Sequence, residues 1–380
     1  MSAARNVLFL ALLVILGPAT MSRGAQPAFS ERSVTLPTGI EMRYYETGDP
    51  DGETVIFVHG YTDSSLSFHP TIEALLALRP SLRAITVDLR GHGGTSMPPA
   101  AECAPAPERC FTIASLATDV RALVEALAIE RLHVVGHSMG SMVAQDLALA
   151  APDRIESLVL MGSAARVVGN PVIERFIIGE VLEGTWRPAL EARGLSWPAG
   201  AYGLTPIDAD PAAEAWLLEN WVTEMAADPD YLASLAAKTA RMPIGAWLGA
   251  ARAVLRFDNV TRLGELRVPT LVLWATQDVV TPESDQILLR SALDAAAAAC
   301  RMDYVWKQYG REPLPESGIQ ESDLGHNFQW GAPEAVAADL AAWLERGAPD
   351  KNQYHVDPDQ PDRIAIGQEA AVVFRGATCS

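Results

Sequence analysis

Short apolar, β-rich runs recur along the chain and alternate with stretches of helical pattern, and this alternation restricts the fold more than any other feature. Strands are expected at Glu41–Glu46, Thr54–His59, Arg83–Asp88, Leu132–Gly136, Ser157–Met161, Thr270–Trp274 and Met302–Lys307. Several of these runs lack polar alternation, which is the signature of strands covered on both faces of a parallel sheet. Helical spacing fills the gaps, at Ile113–Leu127, Ser141–Ala150 and Ala332–Leu344 among others. The reading is an α/β fold with a mostly parallel, doubly wound sheet and helices on both faces. With 380 residues, 49% of them hydrophobic, the chain is long enough for one large core with insertions.

One segment breaks the alternation. Residues 164–262 show no strand pattern, are helical by spacing, and carry Trp186, Trp197, Trp216, Trp221 and Trp247. We read this segment as a helical insertion covering one face of the sheet. Most of its tryptophans are expected to be core, with one or two lining a pocket. The expected organisation is an N-terminal targeting segment (1–24), a first core part (25–163), the helical insertion (164–262), a second core part (263–348) and a C-terminal tail (349–380). The tail begins polar and proline-rich, like a linker. It then turns apolar at "RIAIGQEAAVVF", a run able to pack back as an edge strand.

The first residues read as an export signal. Arg5 precedes ten apolar residues, Val7–Leu16, a run too short to span a bilayer. Small residues suited to cleavage follow, and the absence of a nearby cysteine argues against a lipid anchor. Secretion or periplasmic export is therefore expected, without stable membrane insertion. Cleavage would remove Arg5 and Arg23 and no acid, moving the net charge of −18 two units further, to about −20. Such a surface repels nucleic acid and anionic membranes. A small-molecule substrate is the partner expected, and oligomeric state is not legible.

The junction "LHVVGHSMGSM" carries the chemistry. Gly136-His137-Ser138-Met139-Gly140 is a G-x-S-x-G motif placed directly after an expected strand and before an expected helix. A serine there occupies a sharp turn that exposes its hydroxyl, and side chains two positions to either side would collide. A serine hydroxyl needs a base to attack a carbonyl. Of the seven histidines, His326 in "SDLGHNF" lies in a loop between the last expected strand and helix, where it can reach the sheet's C-terminal edge. His137 should point away from Ser138, and His92 belongs to a structural loop. The base needs an orienting acid. Asp278 directly follows a strand, with Asp285 and Asp323 as alternatives. The oxyanion formed on attack needs backbone N–H donors, expected from Met139 and from Tyr61 in "HGYTDS".

Taken together, "HGYTDS", "DLRGHGGTS", "GHSMG", "WATQDVVTP" and "DLGHNF" resemble the α/β-hydrolase superfamily over residues 33–346. The resemblance implies a capped, esterase- or lipase-like member in which Ser138 is nucleophile, His326 base and Asp278 orienting acid. Tyr61 and Met139 would be its oxyanion donors, and residues 164–262 its cap. A serine nucleophile excludes the aspartate-nucleophile epoxide hydrolases and haloalkane dehalogenases. Hydrolysis of a carboxylic ester or lactone is the leading reading. Carbon–carbon bond hydrolases, aminopeptidases and perhydrolases share the triad and remain open, as does a non-catalytic ligand-binding protein. The chain departs from the pattern in having Ala275 where a glycine is frequent, a long separation between Asp278 and His326, and a tail without counterpart.

No cofactor or metal is expected. The four cysteines have no C-x-x-C spacing and no histidine partners for zinc. Their even number in an exported chain points to disulfides, expected as Cys103–Cys110 and Cys300–Cys379.

Overall fold

The computed structural model describes residues 28–310, 324–350, 352–357, 360–369 and 372–375. The strands are β1 (Ser30–Thr35), β2 (Glu41–Gly48), β3 (Glu53–Val58), β4 (Leu82–Val87), β5 (Leu132–His137), β6 (Ile155–Met161), β7 (Thr270–Ala275), β8 (Tyr304–Tyr309), β9 (Asn352–Asp357), β10 (Gln360–Glu369) and β11 (Val372–Arg375). Among the described residues the main sheet has nine strands, in the order β1-β2-β4-β3-β5-β6-β7-β8-β11. From β4 to β8 every pairing is parallel; β1, β2 and β11 are antiparallel. The architecture is the mostly parallel, doubly wound α/β sheet expected.

The helices of eight residues or more are α1 (His69–Leu78), α2 (Ile113–Ala126), α3 (Met139–Ala150), a π-helix (Val172–Trp186), α4 (Ala213–Asn220), α5 (Pro229–Thr239), α6 (Ile244–Val254), α7 (Glu283–Ala298) and α8 (Pro333–Arg346). Helix ends follow local chemistry. The Thr112 side chain accepts from the Ser115 amide at the start of α2, Pro333 opens α8, and Gly347 closes it with φ +66°.

The strands read as continuous apolar runs because each face of the sheet carries its own core. Val55 and Phe57 of β3 join Val135, Val159, Leu271 and Leu273 in a layer that packs on Ile72 and Leu75 of α1 and Val336 and Leu340 of α8. The intervening Ile56 and Val58 point the other way, with Val134, Leu158 and Leu160, onto Leu116, Val120 and Leu123 of α2 and Val143 and Leu147 of α3. Alternate residues of one strand thus serve opposite cores.

Three local differences from expectation stand out. β1, with the polar sequence SERSVT, is an exposed edge strand without the apolar pattern that would announce it. Residues 352–357 and 360–369 pair as an antiparallel ribbon, where a linker was expected up to residue 362; of the following run expected as an edge strand, 363–369 joins that ribbon and Val372–Arg375 forms the edge strand on β8. The first long helix of residues 164–262 is wound as a π-helix. That segment is otherwise helical, with one isolated bridge between Arg166 and Asp258. Residues 1–24, Asp323 and Cys379 lie outside the described residues. Among the described residues no helix is long and apolar enough to cross a membrane.

The topology fixes where a ligand can sit. The chain leaves β3 to one side for β4 and returns to the other side for β5. The carboxyl ends of β3 and β5 therefore diverge, and such a switch point opens a crevice.

Candidate active site

Ser138 stands at that crevice, between the end of β5 and the start of α3, with φ +52° and ψ −122°. A non-glycine residue with this backbone costs on the order of 1–3 kcal/mol. Its neighbours hold it: the Ser138 amide donates to the Met161 carbonyl at 2.9 Å, and the Ser141 hydroxyl donates to the Ser138 carbonyl at 2.6 Å. The flanking glycines are sterically required. A Cβ on Gly136 would overlap the Gly140 carbonyl, and one on Gly140 would overlap the carbonyls of Val58 and His59.

His326 Nε2 lies 2.8 Å from Ser138 Oγ, and His326 Nδ1 lies 2.8 Å from Asp278 Oδ2. Asp278 follows β7 and is fully buried. Its Oδ1 accepts from the amides of Val280 (2.9 Å) and Thr281 (2.8 Å), and its Oδ2 from the Thr281 hydroxyl (2.6 Å). Burial alone would raise this carboxyl. The opposing charge and hydrogen bond of His326, with the Thr281 donors, outweigh it and hold Asp278 below the usual carboxylate range. Asp285 is only half-buried, and burial next to Asp278 pushes it up to about 6. The structure thus brings together the serine, histidine and acid first chosen from the sequence.

Tyr61 and Met139 flank the same serine. Met139 opens α3, so its amide belongs to the unpaired first turn of a helix. Neither the Met139 nor the Tyr61 amide has a hydrogen-bond partner among the described residues. Gly60 lies so close that an added Cβ would stand 3.1 Å from Ser138 Cβ. His59 fixes this loop: its Nε2 accepts from the Leu89 amide at 3.0 Å and its Nδ1 donates to the Gly60 carbonyl at 2.8 Å. Burial lowers His59 to about 4, so it is neutral at physiological pH. The Tyr61 hydroxyl donates to the Trp247 carbonyl at 2.8 Å.

Two supporting residues were not chosen from the sequence. His137 does turn away from the Ser138 hydroxyl, but its Nε2 donates to the His326 carbonyl at 2.9 Å while its Nδ1 accepts from Gln329 at 3.2 Å. Burial, with the neighbouring His326, lowers His137 to about 3 and fixes it as neutral. Glu224, from the helical segment, accepts from the amides of Gly325 (2.8 Å) and Asn327 (2.9 Å) on either side of His326. Burial pushes its carboxyl up to about 7, against the amides of Gly325, Asn327 and Met225, which pull it down. No motif marks Glu224. His137 had a signal in its position within the G-x-S-x-G turn.

Ser138 and His326 open into a cavity of about 980 Å³. Its walls are largely apolar: Val172, Ile173 and Phe176 of the π-helix, Trp221, Val222, Leu235 of α5, Val280 and Trp330. Of the five tryptophans in residues 164–262, Trp221 lines this space; Trp186 and Trp247 are buried in the core. Among the described residues, no group of three or more His, Cys, Asp or Glu side chains is placed to hold a metal ion.

The arrangement can deprotonate a serine hydroxyl beside an apolar chamber and offer backbone N–H groups to a developing oxyanion. Cys103 and Cys110 form a disulfide with Cα atoms 5.8 Å apart. Their loop docks on α6, where Glu108 meets Arg252 and Phe111 packs against Gly249. No free cysteine occurs among the described residues, and the partner expected for Cys300 lies outside them.

Comparison with known proteins points the same way. A family model described as "alpha/beta hydrolase fold" matches residues 53–333. The chain is 33% identical over 241 residues to "Putative carbamate hydrolase RutD" of Variovorax paradoxus, covering 63% of this chain and 80% of that protein. Among solved structures, the enol-lactonase from Burkholderia xenovorans LB400 superposes with a TM-score of 0.56 at 22% identity, covering 83% of this chain and all of the other. The esterase EaEST from Exiguobacterium antarcticum superposes at 0.61 with 16% identity, with the same 83% of this chain and all of the other covered.

Proposed function

Since the chain belongs to the α/β-hydrolase family, we propose that it is an exported serine hydrolase that cleaves an apolar carboxylic ester or lactone through an acyl-enzyme on Ser138. The observation that carries this reading is the continuous hydrogen-bonded line Ser138–His326–Asp278 at the floor of an apolar cavity. In the first step Ser138 Oγ attacks the carbonyl carbon and its proton passes to His326 Nε2. The carbonyl π electrons move onto oxygen, where the amides of Met139 and Tyr61 stabilise the charge, each donor worth about 3–4 kcal/mol. Collapse breaks the carbon–oxygen bond, and His326 gives its proton to the leaving alkoxide. Water, deprotonated by the same nitrogen, then attacks the acyl-enzyme, releases the acid and returns the proton to Ser138. Asp278 keeps its charge throughout and stabilises the imidazolium that forms twice.

The cavity walls favour an acyl or alkoxy group with several apolar carbons over a small polar one. Export rests on the first 24 residues and on the Cys103–Cys110 bridge, a bond that oxidising compartments preserve. A second reading, carbamate cleavage on the same serine, is favoured by the name borne by the RutD relatives. The test is steady-state turnover of purified mature protein on acyl esters of graded chain length, lactones, carbamates and aminoacyl amides. The proposal expects the highest kcat/KM on an ester or lactone carrying an apolar chain. A preference for carbamates by tenfold or more would select the second reading, and turnover of none of them would defeat both.

A further inference from the structure

Five residues of the helical segment, Trp221–Met225, touch both loops that the proposed chemistry needs. The Trp221 indole N–H donates to Thr62 Oγ1 at 2.7 Å, one residue after the candidate oxyanion donor Tyr61. Three residues later, Glu224 Oε1 accepts from the Gly325 amide and Oε2 from the Asn327 amide, at 2.8 and 2.9 Å. These amides bracket His326 in sequence, so one carboxylate fixes the backbone on both sides of the base. The packing leaves no slack. A Cβ on Gly325 would stand 3.2 Å from Glu224 Oε2, and one on Gly331 would overlap the Met225 carbonyl. The base loop is tied elsewhere by the Gln277 amide, which donates to the Leu324 carbonyl at 3.1 Å, and by His137 on the His326 carbonyl. The amides of residues 325 and 327, however, turn to Glu224.

We propose that Glu224 is a positioning residue for His326, through which the helical segment must be seated before the serine, histidine and acid align. The inference rests on the reading of His326 as base. Its chemistry is that of a buried carboxyl group accepting three amides, two of them from the base loop and one from Met225, bonds that are costly to leave unmade. A displacement of His326 of about 1 Å is enough to cost on the order of 100-fold in rate. The role differs from that of Asp278: Glu224 touches no ring nitrogen and sets where the imidazole stands, whereas Asp278 sets its tautomer and charge. It also differs from a pocket wall, whose loss would weaken substrate binding and leave the chemical step alone.

The test is Glu224→Gln in the full mature chain. The amide has nearly the same shape, but its NH2 faces a backbone N–H donor and one of the two bonds to the base loop is lost. For a small p-nitrophenyl ester, kcat should fall about 10- to 100-fold while KM stays within about threefold. The rate of Ser138 labelling by a fluorophosphonate should fall in step, with circular dichroism unchanged. A folded variant with kcat within twofold of wild type overturns the proposal. So does one in which KM rises and kcat holds, since Glu224 would then be only part of the pocket wall. Should Glu224→Gln fail to fold, Gly325→Ala pushes the same contact from the loop side and is judged by the same split. Absence of Ser138 labelling in the wild type would instead defeat the hydrolase reading, so the two failures are separable.

Discussion

Replacing Asp278 by Asn changes one atom and reverses a hydrogen bond. The Asn Oδ1 can still accept from the amides of Val280 and Thr281. At the Oδ2 position an NH2 group replaces an acceptor. The Thr281 hydroxyl can rotate to accept from it, so that contact survives. His326 Nδ1 cannot donate to an NH2 and must become the acceptor, which places the ring proton on Nε2, 2.8 Å from Ser138 Oγ. The imidazole then presents a proton where it needs a lone pair, and the imidazolium of each step loses its buried counter-charge. The expected cost is about 10⁴ in kcat, equivalent to about 5.4 kcal/mol of barrier. The fold should survive because all four contacts to the side chain can be kept or remade, those of the Thr281 hydroxyl and His326 with donor and acceptor exchanged. The assay is steady-state hydrolysis of a p-nitrophenyl ester with thermal unfolding in parallel. Turnover within tenfold of wild type in a normally folded variant would refute the reasoning and direct attention to Asp285 or Asp323.

Phe176→Ala should enlarge the cavity on the π-helix side and move the preferred acyl chain to longer homologues, with Ser138 labelling by a small probe changed less than threefold; equal losses on every substrate would contradict a size-setting role. Closing the Cys103–Cys110 loop is worth about 2.5 kcal/mol by chain entropy, so the double serine variant should unfold at lower denaturant and raise KM through looser docking of α6. Non-reducing peptide mapping should also find Cys300 paired with Cys379, and any other pairing would remove that proposal. Acid stability reports the buried groups. His59 and His69, lowered to about 4, and His92 and His137, lowered to about 3, each lose stability as pH falls below their unfolded value. Asp63 and Glu224, raised to about 7, and Asp285 and Asp339, raised to about 6, gain stability over the same fall. Each buried group contributes about 1.4 kcal/mol per pH unit and the half-exposed Asp285 less, because solvent screens it, so the melting temperature should fall only gently from pH 6.5 to 4.5. It should drop below about pH 4, where the acids are already protonated in the unfolded chain, His92 and His137 still titrate, and Asp278 loses its charge; a steep decline starting at pH 6 would contradict this balance.

What was legible in the sequence followed from how strongly each residue's role constrains its neighbours. The parallel strands could be read because both faces of the sheet are buried, which forces continuous apolar runs such as Thr54–His59. Ser138 could be read because its turn tolerates nothing but glycine at positions 136 and 140, and those glycines are visible as letters. His326 and Asp278 followed from their placement after strands. β1 escaped because an exposed edge strand has no face that must be apolar, and the ribbon of β9 and β10 escaped behind its prolines. Glu224 was illegible for a deeper reason. Its partners are backbone amides, which every residue carries, so nothing in the sequence marks which acid will meet them. Trp221 and Trp247 looked alike on the page; only the packing separates the cavity wall from the core.

The central claim is that Ser138 is an activated nucleophile, and a fluorophosphonate probe tests it most directly. Intact-mass analysis followed by peptide mapping of the labelled protein should show one adduct, on Ser138, and none in Ser138→Ala. An adduct on another residue, labelling that survives the substitution, or no adduct on the folded wild-type protein would contradict the account.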